Sequence, residues 1–507
     1  MVYSRFRSTS IACAVTLLSA AVPLGAQEAA GTDAGKLQRQ LDTWYKRAAR
    51  TTRGTWGIAV ATQDGQLLWG VQPTRPMIPA STVKLFTTGY ARTVLGSEAR
   101  QHTKVVGAGH VDFATGEWIG PWALELNGDV TLERPTHGGP TLSDLAVQLH
   151  AAGIRKLVGP LKVVSAGGEA GASYPSAWSA RHRGRVFAPV IGSLTLAENV
   201  LSFSIAPGRK VGEKPRVVAE SPLGVSELVT IRARTVSGKR SRLRYQTAPG
   251  GRYIVNGTIG TRARVRRFTS TTHDLLALLE ASWSRALRLA GIEWQRTPAM
   301  GGPMTFGAEQ VLAEVNSQPF DSIATEVNRR SLNIGAELML RWAGGEVSAA
   351  DRLTAHVQEV TGDPSVKLVD GSGLSHEDRA SPMAFVSYLA KFPQLPAGRG
   401  FPMLLPTNGS GTLWKLAKGL PGPGVVRAKT GTLGDVATLS GYLGRPDGVL
   451  LISLMYNGPR VSTARAEQWR LFRLLGADGV IIPQDTVEIS GQLGSETREP
   501  PAPQPVP

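Results

Sequence analysis

Apolar positions along the chain change period several times, and each change predicts an element. Thr55–Ala61 and Gln66–Gly70 are short apolar runs around Gln63-Asp64-Gly65, which predicts two strands joined by a turn. Pro79 opens a stretch of helical spacing, so a helix is expected from about Ser81 to Leu95, closed by Gly96. From about Gln101 to Arg267 the period shortens. Strand-like runs such as Val105–Val111 and Leu157–Ser165 alternate with glycine turns, and one helical stretch stands at Thr141–Ala152. This block predicts a β-rich insertion of one or two subdomains over residues 101–267. Helical spacing returns at His273–Leu289 and again at Ser322–Trp342. Val425–Lys429 then reads as a short strand, and Thr438–Leu443 with Val449–Met455 as a hairpin across Arg445-Pro446-Asp447-Gly448. Trp469, Phe472 and Leu475 mark the apolar stripe of a closing helix. Residues 497–507 are proline-rich and expected to be disordered, and no internal repeat is visible.

A length of 507 residues exceeds one ordinary domain and suffices for two or three with full cores. Hydrophobic residues at 42% and charged residues at 19% are a soluble globular balance. The N-terminus departs from it. Arg5 and Arg7 precede an apolar run from Ile11 to Leu24, then the small residues Gly25 and Ala26. This reads as a secretory signal over residues 1–26, cleaved after Ala26. The run is shorter than the roughly 20 apolar residues of a bilayer-spanning helix, and an uncleaved anchor is the rival reading. A periplasmic or otherwise extracytoplasmic protein is therefore expected. The only cysteine, Cys13, lies in that segment, so the mature chain would hold no disulfide and no thiolate metal site. No metal-binding histidine spacing appears either, and no cofactor or metal is expected.

Net charge is +17. Outside the cytoplasm the counter-surface for a basic protein is an anionic envelope polymer, not nucleic acid. Two clusters in the insertion concentrate the charge: Lys239, Arg240, Arg242 and Arg244, and Arg262, Arg264, Arg266 and Arg267. They read either as an envelope-contact surface or as solvated strand faces and turns.

Candidate chemistry rests on three ordered motifs. Ser81-Thr82-Val83-Lys84 is an S-x-x-K, Ser331-Leu332-Asn333 an S-x-N, and Lys429-Thr430-Gly431-Thr432 a K-T-G-T. Singly each is common; in this order they point to an active-site serine acyltransferase. A serine hydroxyl needs an adjacent base. Lys84, one turn beyond Ser81, shares its helix face. Burial and a nearby cation, Lys429, are expected to lower its pKa so that it can serve. Ser331 is placed to relay a proton to the leaving amine, and Asn333 to hold Lys84 and the substrate amide. Lys429 and Thr430 offer charge and a hydroxyl to a substrate carboxylate. Gly431 is expected to let substrate backbone approach the strand, and the amides of Ser81 and Thr432 to form an oxyanion hole. No His–Asp pair is required.

Beyond the trio, the chain resembles the S13 serine peptidases, the D-alanyl-D-alanine carboxypeptidase/endopeptidases of class C penicillin-binding proteins, from about Leu37 to Ala477. The likeness is carried by Asn328-Arg329-Arg330-Ser331-Leu332-Asn333-Ile334-Gly335-Ala336-Glu337 and by Asp370-Gly371-Ser372-Gly373-Leu374-Ser375. Gly411-Thr412-Leu413, Gly441-Tyr442-Leu443, Ala188-Pro189, Leu194 and Glu198-Asn199 extend it. Ser331 follows Lys84 by 247 positions, room for the large insertion of that family. The resemblance implies an α/β (α+β) fold: a penicillin-binding, transpeptidase-like catalytic domain over residues 37–100 and 268–485, split by the β-rich block. It implies cleavage of D-Ala-D-Ala ends or cross-links of peptidoglycan, with peptidoglycan peptides as substrates, Leu374 among the substrate-binding residues, and β-lactams as covalent inhibitors.

Three positions depart from the family pattern. Leu332 stands where aspartate is common, and His376 where an arginine is frequent. Between Trp178 and Ala188, Arg181-His182-Arg183-Gly184-Arg185 occupies a stretch where relatives place an acid facing the diamino-acid side chain. Arginines there would repel a substrate ammonium. Either the loop is shifted and the acid comes from elsewhere, or substrate recognition differs. Two alternatives to the peptidase therefore stand: a serine hydrolase of the same fold acting on other D-amino-acid amides or esters, and a β-lactam-binding scaffold that turns over poorly.

Overall fold

A computed structural model of the protein describes residues 24–298 and 310–482, with side chains from residue 35. The expected signal segment, all but its last three residues, and the proline-rich tail lie outside the described residues. The chain divides into two compact units, residues 1–47 and 48–507; a helix, Leu24–Thr52, is the first described element. Among the described residues no helix is long and apolar enough to cross a membrane.

Within residues 48–507 an antiparallel five-stranded sheet forms the centre of the catalytic region. Its order is Leu67–Val71, Thr55–Ala61, Gly448–Asn457, Val436–Arg445, Val426–Leu433. The predicted hairpins are both present, and the motif-bearing strand lies at the sheet edge. The two central strands, Val436–Arg445 and Gly448–Asn457, are buried along almost their whole length, as expected of strands covered on both faces.

On this sheet lies a helical layer. The helix Val83–Leu95 is buried from Val83 through Ala91 and packs against Phe320–Arg330, Asn333–Gly344 and Ala349–Thr361. Phe86 stacks on Phe385 at 4.4 Å between ring centres. A helix buried all round has no amphipathic signature and is specified by its neighbours. The predicted single helix over Ser322–Trp342 is in fact two. Ser331 ends the first with φ +58° and ψ +44°, and the second starts at Asn333. A left-handed residue stops helix propagation, and apolar spacing continued through the break hides it from the sequence.

A second core gathers Trp122, Leu149, Phe203, Tyr253, Trp283 and Leu287. Its β elements are short. The run Leu157–Ser165 is two strands, Lys156–Val158 and Val163–Ser165, in different sheets. The one helix foreseen in the block is present as Leu142–Ala151, with Thr141 and Asp144 forming a capping box. The core continues beyond residue 267, through the helix Leu275–Leu289 to Ala313. Conversely, Trp178, Ala188 and Ile191, from the middle of the β-rich stretch, are buried in the catalytic core. A loop of the insertion thus forms part of the catalytic wall.

Candidate active site

Ser81 lies in a single 3-10 turn, Ala80–Thr82, that runs directly into the helix Val83–Leu95. Ala80 before it adopts φ +49°, a conformation that costs a non-glycine residue roughly 1–3 kcal/mol. Neighbouring loops hold this turn. Thr82 Oγ1 and Thr438 Oγ1 each donate to the Pro79 carbonyl at 2.6 Å. A side chain at Gly373 would place its first carbon 1.9 Å from the Ala80 carbonyl oxygen, and one at Gly431 would fall 2.8 Å from the Ser81 amide nitrogen. The space expected at Gly431 for substrate is therefore taken up by the close approach of the motif strand to the Ser81 turn.

Lys84 Nζ lies 3.1 Å from Ser81 Oγ, 2.7 Å from Asn333 Oδ1 and 2.6 Å from the Ser372 carbonyl oxygen. The lysine is fully buried, and burial lowers its pKa to about 7 against the opposing pull of Asp370, Glu337 and Asp378. Burial, rather than the neighbouring Lys429, is thus the leading cause of the shift. Lys429, also fully buried, is held well below the ordinary lysine range by burial first, with Lys84 and Arg465 adding to it. Its Nζ donates to Ser331 Oγ at 2.9 Å and to the Thr430 carbonyl at 2.8 Å. The structure therefore gathers Ser81, Lys84, Ser331, Asn333 and Lys429 from three separate stretches of chain.

The remaining predicted residues sit around this group in different ways. Thr430 is buried, and Thr432 is exposed at the strand end with Oγ1 accepting from Arg465 at 2.9 Å. Leu374 is 5% exposed and belongs to the catalytic core, so its side chain packs inward.

Several contributors carry no motif. Glu337 Oε1 accepts the amides of Gly371 and Ser372 at 3.1 and 2.9 Å, and Asp370 accepts those of Ser372, Gly373 and Ser375 at 3.0, 2.5 and 2.8 Å. These two carboxylates fold the 370–375 loop so that the Ser372 carbonyl faces Lys84. Burial and the charge of Asp370 push Glu337 up to about 7. Arg465, on the closing helix Val461–Leu475, donates to the Gly431 and Thr438 carbonyls at 2.5 and 2.8 Å. Phe187 offers its carbonyl to Asn333 Nδ2 at 2.9 Å. This bond fixes the amide so that Asn333 Oδ1 faces Lys84. Arg330 makes a two-pronged ion pair with Glu198 at 2.6 and 2.9 Å, one residue before Ser331. Glu337 and Glu198 were visible only as members of longer matched stretches; Arg465 and the Phe187 carbonyl had no signal, because a backbone acceptor and a lone arginine carry no pattern.

The basic stretch Arg181–Arg185 belongs to the loop that ends at Phe187. Arg181 and Arg185 are exposed, and Arg183 lies over the Tyr174 ring at 4.2 Å. His182 is held below its ordinary pKa by burial and by the nearby Arg181, His376 and Arg185. His376 Nε2 is 3.2 Å from Asp435 Oδ1.

The profile of the D-Ala-D-Ala carboxypeptidase 3 (S13) family matches residues 37–472. A D-alanyl-D-alanine carboxypeptidase from Actinomadura sp. (strain R39) is 27% identical over 466 residues, 88% of this chain and 85% of the relative. Penicillin-sensitive carboxypeptidase A from Dictyostelium discoideum is 23% identical over 433 residues, 78% and 80% of the two chains. The crystal structure of penicillin binding protein 4 from Haemophilus influenzae superposes with a TM-score of 0.64 at 20% identity, covering 85% of this chain and 98% of that one. The shared architecture is the penicillin-binding, transpeptidase-like fold. The chain belongs to the D-Ala-D-Ala carboxypeptidase 3 (S13) family of serine peptidases.

Proposed function

We propose that this protein hydrolyses the terminal D-Ala-D-Ala bond, and D-Ala cross-links, of peptidoglycan stem peptides through an acyl-enzyme on Ser81. The observation that carries the reading is the 3.1 Å separation between Ser81 Oγ and a fully buried lysine whose pKa is lowered to about 7. Neutral Lys84 accepts the hydroxyl proton as Ser81 Oγ attacks the carbonyl of the penultimate D-alanine. The amides of Ser81 and Thr432 stabilise the oxyanion. As the C–N bond breaks, the proton passes to the departing amine through Ser331, whose hydroxyl Lys429 holds. Water then adds to the ester, gives its proton to Lys84, and Ser81 leaves reprotonated. Thr430 and Lys429 receive the substrate carboxylate, and Leu374 shapes the wall behind the cleft. No metal or cofactor has a part in these steps.

β-Lactams present the same acyl chemistry, and a Haemophilus influenzae penicillin binding protein 4 structure is described as complexed with a novel β-lactam. A second reading, hydrolysis of a different D-amino-acid amide or ester, draws on the loop from Arg181 to Phe187, whose carbonyl contacts Asn333 while its arginines oppose a substrate ammonium. The site of action is outside the cytoplasm, where peptidoglycan lies.

Incubation with a fluorescent penicillin and peptide mapping tests the reading. A covalent adduct on Ser81 is expected, absent in Ser81→Ala, together with release of D-alanine from D-Ala-D-Ala peptides by the unmodified protein. Labelling that persists in Ser81→Ala would sink the mechanism; stable acylation without release of D-alanine would favour the β-lactam-binding scaffold that turns over poorly.

A further inference from the structure

The positive charge of this protein is concentrated in one place. Residues 201–270 hold twelve arginines and three lysines against three glutamates and no aspartate, so they carry twelve of the seventeen net charges. The other 437 residues carry only five. All fifteen cationic side chains are exposed. Among the described residues none forms an ion pair with a carboxylate; Arg267 reaches only the Ser202 hydroxyl at 3.3 Å, and Arg266 lies 5.7 Å from the Phe268 ring centre. Elsewhere the chain pairs its arginines: Arg92 with Asp321, Arg330 with Glu198, Arg445 with Asp447. Uncompensated like charges at this density repel one another and cost stability.

Three small sheets carry these charges, built from Val200–Ala206, Arg216–Ser221, Val229–Ile231, Arg234–Val236, Arg244–Ala248, Arg252–Asn256, Thr258–Gly260 and Arg266–Thr271. Arg216, Arg234, Arg244, Arg252, Arg266 and Arg267 stand on the strands, and the other nine on the segments that join them. Arginines recur at alternate positions: 232 and 234, then 240, 242 and 244, then 262, 264 and 266. Of the residues between them, Ala233 and Leu243 are buried, whereas Ser241 and Val265 are exposed. Where a run is extended, alternate residues lie about 6.7 Å apart on one side; Arg262 instead sits in the turn that the Ala263 amide closes on the Gly260 carbonyl. Backbone bonds draw the runs together around Thr258–Gly260: Arg234 N to the Gly257 carbonyl, Arg242 N to Thr258, Gly260 N to Arg240, and Arg262 N to Gly238.

We infer that this module docks the enzyme on a linear, phosphate-bearing glycopolymer of the cell wall. Arginine outnumbers lysine fourfold here, and its planar fork pairs bidentately with phosphate oxygens where lysine is a point charge. A membrane surface fits less well. The module exposes no aromatic side chain, and its one described helix, Val225–Leu228, has four residues, whereas interfacial binding needs an apolar helix face or aromatic anchors. The inference takes the location of the polymer from the peptidoglycan reading, but the binding is independent of Ser81.

The test measures binding of fluorescein-labelled linear polyphosphate to the full chain, to Ser81→Ala, and to a combined variant: Arg240→Gln, Arg242→Gln, Arg244→Gln, Arg262→Gln, Arg264→Gln and Arg266→Gln. The full chain and Ser81→Ala should bind equally, with affinity falling at least about a hundredfold between ~50 and ~200 mM salt, as counterion release requires. The combined variant should bind at least about tenfold more weakly while keeping its thermal melt and its penicillin labelling. Equal affinity of the combined variant, absence of salt-sensitive binding, or binding to phosphatidylglycerol vesicles with none to polyphosphate would each overturn the inference. Absence of penicillin labelling in the unmodified full chain, with polymer binding intact, would count against the Ser81 reading alone.

Discussion

Lys84 is surrounded by protein on every side, and three carboxylates, Glu337, Asp370 and Asp378, stand behind it. Desolvation favours the neutral amine and the carboxylates favour the ammonium; desolvation prevails and leaves the pKa at about 7. A general base works only when deprotonated, so the rate of penicillin acylation should rise with pH and reach half its plateau near pH 7. Glu337→Gln keeps an oxygen for the Gly371 and Ser372 amides but removes a charge that raises the lysine pKa. Its acylation profile should therefore move to lower pH, which stopped-flow labelling across pH 5–9 would reveal, a range chosen around the usual span of such titrations. An unmoved or alkaline-shifted midpoint would remove Glu337 from the electrostatics of the base. The spacing of Ser81 and Lys84 was legible because one helical turn separates them. The depth of burial was not, since Lys84 is surrounded by residues from positions 333 and 370–378.

At the level of elements, the turn between Phe320–Arg330 and Asn333–Gly344 is the point where the β-rich region meets the chemistry. Glu198 binds Arg330 on one side of Ser331, and the Phe187 carbonyl binds Asn333 on the other. Glu198 itself is 8% exposed and lies in a run, Ala197-Glu198-Asn199, in which all three residues have positive φ. Asn199 braces that run by donating to the Val190 carbonyl and accepting the Leu196 amide. Glu198 also lies 3.2 Å from Arg134, and without it Arg330 keeps only a 3.5 Å contact with Glu326, so loss of the carboxylate leaves two arginines short of negative charge. Glu198→Gln should therefore lower thermal stability, and through Ser331 and Asn333 it should lower the acylation rate constant with little change in initial penicillin affinity. A melt shift with an unchanged rate constant would make Glu198 structural only. The three motifs announced which residues meet; the apolar pattern continuing through Ser331 concealed the break that aims them.

Over the whole molecule, two cores and one charged module divide the work. The catalytic core and the second core exchange segments, with Trp178 and Ile191 in the first and Leu275–Leu289 in the second, so the division does not follow the composition change near residue 267. Salt should act on the charged module before anything else. Screening fifteen unpaired cations should raise the melting temperature, by about 2 °C for each ~1 kcal/mol of repulsion relieved, and the gain should vanish in the combined arginine variant; scanning calorimetry in rising sodium chloride measures it. Chain order, local spacing and composition were enough to point to the family, to the pairing of Ser81 with Lys84, to the paired strands and to the excess charge, because each is written in residues close in sequence or in simple counts. The depth at which Lys84 is buried, the left-handed Ala80 and Ser331, the way the carboxylates brace the 370–375 loop, Arg465 and the Phe187 carbonyl came from folding alone. They depend on burial and on contacts between segments hundreds of residues apart, and no local pattern encodes the dielectric or the neighbours a side chain will find.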